Sequence, residues 1–223
     1  MARRRPPTPV GAGLSKERVV AEAMRIADRE GVERLSMRAL AAALDAGAMS
    51  LYHYVANKEE LLDAMIDVVF DEIALPSLDV DWTVAMRAES VSAHEVLARH
   101  PWAISLMESR TSPGPANLRH REAVTACLRR AGFSVEMATH ANWLLSSHVY
   151  GYALQEASLP FGTAEELADM TEEVYLPQVP AELYPSLHES GAHLLAIGYD
   201  PSQEFLFGLD LVLAALEALR PKP

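Results

Sequence analysis

Apolar residues recur at helical spacing through segment after segment of this chain, with Pro and Gly falling between the segments. Val19, Val20, Ala23, Met24, Ile26 and Ala27 predict a first helix over about 16–30. Ser15 suits its N-cap, Glu17 its first turn and Gly31 its stop. Ser36 caps a second helix whose inward face is Met37, Leu40, Ala41 and Leu44, which leaves Arg38 outside. A third helix, about 48–54, turns Leu51 and Val55 inward. Met49, Ser50, His53 and Tyr54 are left outward or at the edge, with Tyr52 between them. So short a helix must be held by tertiary packing. Asn57 and Glu60 then make a capping-box-like start for a long helix to about 74, with Leu61, Leu62, Met65, Ile66, Val69 and Phe70 as its apolar stripe. Lys58 sits in that helix's first turn against the dipole preference, a conflict that a nearby phosphate would resolve.

The pair of short helices joined through Asp45–Gly47 is a candidate helix-turn-helix, a positioning helix followed by a recognition helix. From Leu75 to Asp81 an acidic, Pro-containing stretch marks a boundary. Helical patterns follow at about 82–99, 102–109, 116–131 and 135–158, separated by Pro101, Ser112–Pro115 and Gly132. A further helix over about 164–174 leads into a region punctuated by Pro177, Pro180 and Pro185, then a short helix from Leu187 to Ile197 and a last one at 202–219. No strand-like alternation stands out. The predicted fold class is all-α: a flexible basic arm at 1–14, an N-terminal three-helix helix-turn-helix domain at 15–74 with 57–74 as connecting helix, and a larger helical ligand-binding and dimerisation domain at 75–223.

Charge sharpens this division. The formal net charge is −12, which argues against a protein that coats nucleic acid indiscriminately. Residues 1–60, however, carry 10 Lys and Arg against 8 Asp and Glu, and the remainder 9 against 23. A near-neutral to basic head on an acidic body suits a protein that docks one end on a polyanion. Arg3, Arg4 and Arg5 are followed by Pro6, Pro7 and Pro9 with no apolar segment, so they do not read as an export signal. They could touch phosphates or a minor groove, or simply solubilise the terminus. The lone Cys127 allows no intrachain disulfide and fits a reducing compartment. No stretch reaches the roughly 18 apolar residues of a membrane span. The expectation is a cytoplasmic protein with no membrane partner.

The run Leu35-Ser-Met-Arg-Ala-Leu-Ala, followed by Met49-Ser-Leu-Tyr-His-Tyr-Val-Ala-Asn-Lys-Glu-Glu-Leu-Leu-Asp-Ala, resembles the N-terminal domain of tetracycline-repressor (TetR) family regulators over residues 14–74. Asp45 stands at that family's common turn Gly, and Gly47 where a capping Ser is common. The resemblance implies that Arg38, Met49, Ser50, Tyr52, His53, Tyr54 and Lys58 contact bases or phosphates of double-stranded DNA. Arg38 and Lys58 suit phosphates, the two Tyr can give a hydroxyl to a phosphate, and Ser50, His53 and Met49 can reach base edges or a thymine methyl. One such module buries too little for tight binding, so a twofold dimer should read a near-palindrome with recognition helices ~34 to 36 Å apart. Sparser landmarks extend the resemblance: Trp82, His100-Pro101-Trp102, Ala131-Gly132-Phe133-Ser134, Tyr150-Gly151 and Phe207-Gly208-Leu209-Asp210. They imply a homodimer through the helices at about 135–158 and 202–219.

Eight His invite a metal, yet no pair has the i, i+4 spacing of a helical zinc site and no Cys cluster joins them. Ser146, Ser147 and His148 are neighbours in sequence, without any nucleophile-elbow or phosphate-loop pattern. No cofactor, no metal and no catalysis are expected. Met86, Leu106, Met107, Val124, Trp143 and Tyr152 offer apolar surface, and Glu89, Thr139 and Asn142 a few orienting polar groups. That mixture suits a small, largely apolar effector. By the resemblance, a tetracycline–magnesium ligand would need His and Gln ligands where apolar residues stand here. The reading is a ligand-responsive repressor released from its operator by a small molecule. The alternatives are a DNA-binding protein whose second domain only supports structure, and a helical enzyme.

Overall fold

A computed structural model describes residues 14–107, 109–161, 163–198 and 200–220, and the arginine arm lies outside them. Among the described residues there are helices and turns and no strand. The helices are α1 (Lys16–Glu30), α2 (Met37–Ala43), α3 (Ala48–Leu51), α4 (Lys58–Glu72), α5 (Trp82–Arg99), α6 (Ile104–Met107), α7 (Pro115–Arg130), α8 (Val135–Ala157), α9 (Ala164–Met170), α10 (Leu176–Gln178), α11 (Pro185–Ile197) and α12 (Pro201–Leu219). None is long and apolar enough to cross a membrane.

Three boundaries differ from those the periodicity predicts. The third helix is a single turn, and Tyr52–Tyr54 continue as a turn in which the amides of Tyr54 and Val55 both reach the Leu51 carbonyl, at 2.9 and 3.1 Å. With Leu51 and Val55 both buried, the chain must redirect between them before the next cap. The pattern at 102–109 resolves into a 3-10 turn, Pro101–Ala103, and the short α6. The pattern at 164–174 ends at Met170 and widens into a π-type turn over Thr171–Tyr175. Pro177 has no amide hydrogen to give Glu173, and its ring would press on that carbonyl in a regular helix.

Packing divides the chain into two compact units, and not by one cut. The first contains the chain through Glu72 together with Ser105–Arg119; the second contains Ile73–Ile104 and everything from His120 onward. The linear division expected near residue 75 therefore misses the return of Ser105–Arg119 to the first unit.

In the first unit α1 packs on α2 and α4, and Val19, Ala23, Ile26 and Ala27 of α1, Leu40 of α2 and Leu61 and Met65 of α4 are all buried. Ser15 and Ser36 accept the amides of Arg18 and Ala39, capping α1 and α2 as predicted. Along α4 four carboxylates stand four residues apart: Glu59, Asp63, Asp67 and Asp71. Like charges at this spacing cost an isolated helix about 0.2 to 0.5 kcal/mol per pair. The returning segment opposes them in register. Arg110 donates to Asp63 at 2.5 Å and pairs with Glu59 at 2.9 Å, and Arg119 pairs with Asp71 at 2.6 Å. Asp67 accepts the amides of Ala116 and Asn117 at 2.8 and 3.0 Å, satisfying the first turn of α7. Gly114 permits that approach, because a Cβ there would lie 2.3 Å from the Asp67 carboxylate.

In the second unit α5, α8 and α12 pack against one another. Their shared seam is aromatic: Phe205 of α12 is stacked 4.2 Å from His94 of α5 and 5.1 Å from His148 of α8, with Tyr152 edge-on. His94 bonds Glu156 at 2.7 Å, and the Trp82 indole donates to Glu217 at 2.8 Å while its ring meets Phe133 edge-to-face.

Candidate nucleic-acid interface and internal cavity

Backbone geometry at the end of α2 sets the direction of α3. The amide of Ala46 bonds the Ala41 carbonyl at 3.0 Å and that of Asp45 bonds Ala42 at 3.3 Å, the paired bonds of a Schellman stop. That motif asks its C′ residue for the left-handed region, and Asp45 takes it with φ 50°, the sole non-Gly residue with positive φ among those described. Gly47 then opens α3 with no side-chain cap. At the far side, Asn57 Oδ1 accepts the Glu60 amide at 2.8 Å and Glu60 Oε2 accepts the Ala56 amide at 2.7 Å. The expected box is present, shifted by one residue in its reciprocal bond. The Ala56 bond, and after it Lys16 at 3.2 Å, hold the Glu60 carboxyl below the usual carboxylate range.

Between these two fixed points the predicted DNA-contacting side chains face outward. Met49 is 77% exposed and Tyr52 44%; Arg38, Ser50 and His53 are exposed; Tyr54 and Lys58 are half-buried. Leu51 and Val55, at 0% and 1%, are the anchors beneath them. These side chains offer hydroxyls, an imidazole, a thioether and two cations along α2, α3, the turn after it and the start of α4. No group of three or more His, Cys, Asp or Glu among the described residues could hold a metal ion.

A cavity in the second unit is lined by α5, α7 and α8, with Ile73 at its edge. It holds about 30 Å³ of free space, room for about two waters. Of the sequence candidates, Met86, Glu89, Val124 and Asn142 line it. Trp143 does not: one residue on from Asn142 it is turned by a helix step to the outer face of α8, 61% exposed, and is corrected out of the cavity wall. Thr139 is likewise exposed, with its hydroxyl donating back to the Val135 carbonyl at 2.9 Å. Leu106 and Met107 belong to the first unit, and Tyr152 packs in the aromatic seam. The sequence reading missed Ser90, His120 and Ser146. His120 and Val124 are four apart on α7, and Asn142 and Ser146 four apart on α8, a spacing that could have paired them.

The electrostatics of this cavity centre on Glu89, which is only 6% exposed. Its carboxylate bonds His120 Nε2 at 2.8 Å and accepts the Ser90 hydroxyl at 3.2 Å. Nearby, burial pushes the Cys127 thiol up, with the charge of Glu89 adding to the effect. A larger, open groove of about 300 Å³ lies along α5 and α12, crossed by the Arg87–Asp210 ion pair at 2.8 Å. Elsewhere α12 exposes Phe207 and Leu211, and α8 exposes Trp143, Leu144 and Leu154.

Comparison with known proteins bears on both features. Residues 19–65 match the family described as bacterial regulatory proteins, tetR family, and residues 75–220 match the tetracyclin repressor-like C-terminal domain. The HTH-type transcriptional repressor DrrR1 of Streptomyces coeruleorubidus is 34% identical over 97% of this chain and 82% of its own length. The class G tetracycline repressor protein of Vibrio anguillarum is 28% identical over 93% of this chain and 95% of its own. Among solved structures, the Streptomyces coelicolor TetR family protein ActR in complex with actinorhodin superposes with a TM-score of 0.78 at 32% identity, covering 95% of this chain and all of that one.

Proposed function

The chain belongs to the TetR family of bacterial transcriptional regulators, and from that membership we propose that it is a dimeric repressor released from a near-palindromic operator by a small, mainly apolar effector. The carrying observation is the outward corner at α3: exposed Arg38, Met49, Ser50, Tyr52 and His53, with Tyr54 and Lys58 at its edge, over the buried anchors Leu51 and Val55. Arg38 and Lys58 take phosphates, the tyrosine hydroxyls position, and Ser50, His53 and Met49 read bases.

The partner that completes the site is a second copy. The exposed apolar residues on α8 and α12 support pairing through these two helices, since a monomer has little reason to leave Trp143, Leu144, Phe207 and Leu211 in water. The effector occupies the cavity at Met86, Glu89, Val124 and Asn142, whose walls must part to admit it. The relative solved in complex with actinorhodin supports a small-molecule ligand for this chain. Because α4 starts beside the recognition corner and carries the acids that Arg110–Arg119 oppose, a shift of that segment re-aims α3. A typical coupling of about 1 to 3 kcal/mol changes operator affinity ~5 to 150-fold. Catalysis has no place in this reading.

Footprinting on the DNA upstream of the protein's own coding sequence tests it. A protected near-palindrome at moderate salt is expected, weakening steeply as salt rises; absence of any protected site would overturn the repressor assignment.

A further inference from the structure

Glu89 is a costly residue for its position. A carboxylate withdrawn from water is stabilised only by what it bonds, and an apolar side chain of similar volume would pack this wall more cheaply. Its bonds are to His120 and Ser90, which take about two of the four or so acceptor positions of a carboxylate. The remaining acceptor capacity sits in the wall of a cavity that Met86, Val124 and Leu145 line together with the polar side chains of Asn142, Ser146 and Tyr150. An ionised carboxylate accepts hydrogen bonds and gives none.

Resting on the reading of this cavity as the effector site, we propose that the Glu89–His120 pair selects the effector by its hydrogen-bond donor: the site takes an apolar ring system bearing a neutral hydroxyl and turns away one bearing a carboxylate. The hydroxyl joins the existing pair by donating to Glu89 without displacing His120. A cationic group would have to compete with His120 for the same carboxylate. An anionic group would meet Glu89 as a like charge at low dielectric, so rejection is built in together with recognition. His120 acts as the positioning residue, holding the carboxylate against the cavity, and Asn142 on α8 can serve a second polar group with either end of its amide.

Titration calorimetry of the full chain with 1-naphthol, 1-methoxynaphthalene and 1-naphthoate tests the idea, because the three share a ring system and differ in donor and charge. The naphthol is expected to bind about tenfold or more tightly than the ether, with the naphthoate weakest, since a buried acceptor left unpaired discriminates strongly. Glu89→Gln should narrow the gap between naphthol and naphthoate. If that variant fails to fold, the naphthol-to-ether ratio on the unaltered protein decides. An ether within twofold of the naphthol, a naphthoate that binds tightest, or binding by none of the three would overturn the donor assignment. The effector-site reading is checked separately by Ala93→Val, which fills the cavity: naphthol affinity unchanged by it would place binding elsewhere and sink that reading, whatever the ratios.

Discussion

At the proposed DNA-contacting corner the side chains point outward from α2, the single-turn α3, the turn after it and the start of α4, while around the cavity they point inward from helices of 18, 16 and 23 residues. The corner separates labour: Leu51 and Val55 hold it, and Ser50, Tyr52 and His53 are free to serve a partner. The cavity does not, because Glu89, Val124 and Leu145 are at once wall and core. Outward residues can therefore be changed with little effect on stability, and inward ones cannot.

The widest gap between binding and stability should come from Tyr52→Ala combined with Lys58→Ala. Hydrogen bonds to a charged phosphate are worth about 1.5 to 3 kcal/mol each and occur twice in a dimer, so operator affinity should fall by about 100-fold or more. The urea midpoint should hardly move; retained binding in a mobility-shift assay would remove both residues from the interface. Arg110→Ala should do the reverse, destabilising the first unit by about 2 kcal/mol in urea unfolding. It removes hydrogen bonds to ionised partners from an Arg whose side chain is only 13% exposed, leaving Asp63 and Glu59 as near neighbours. A smaller gain is expected from Asp45→Gly, about 0.5 to 1 kcal/mol, because φ 50° strains an L-residue and Gly is relieved of that strain at some entropic cost. The least effect should follow acidification. Glu60 is held below the usual carboxylate range, so its contribution is complete above that range and is lost as pH falls through the lowered value. Glu60→Gln should flatten that part of the stability profile, and an unchanged profile would show that the bond to Ala56 adds nothing.

The same contrast explains what the sequence made legible. The corner is specified locally: Ser36, Leu40, Leu51, Asn57 and Glu60 lie within one short stretch, and their spacing carries caps, anchors and outward positions together. The cavity is specified by residues on three helices far apart in the chain. Helical periodicity shows that Asn142 and Trp143 cannot share a face, yet it does not say which of the two faces inward. The pairing of Glu89 with His120, 31 residues apart, leaves no local trace. Nor did the opposition of α4's acids by Arg110 and Arg119, since each of these charges read alone resembles an ordinary solvated position. Pro177 was visible, and its effect, a π-type turn ahead of it, was not, because a regular helix and a widened one show nearly the same pattern over so few residues.

Because the chain leaves the first unit at Glu72, re-enters it at Ser105 and leaves again after Arg119, its reading head is not a detachable cartridge. A fragment ending near residue 74, or a hybrid sensor spliced there, would inherit Glu59, Asp63, Asp67 and Asp71 with no cations opposite them and would have to evolve or be given a substitute. Specificity for DNA and specificity for effector can diversify separately in this protein only if residues 105–119 travel with the head.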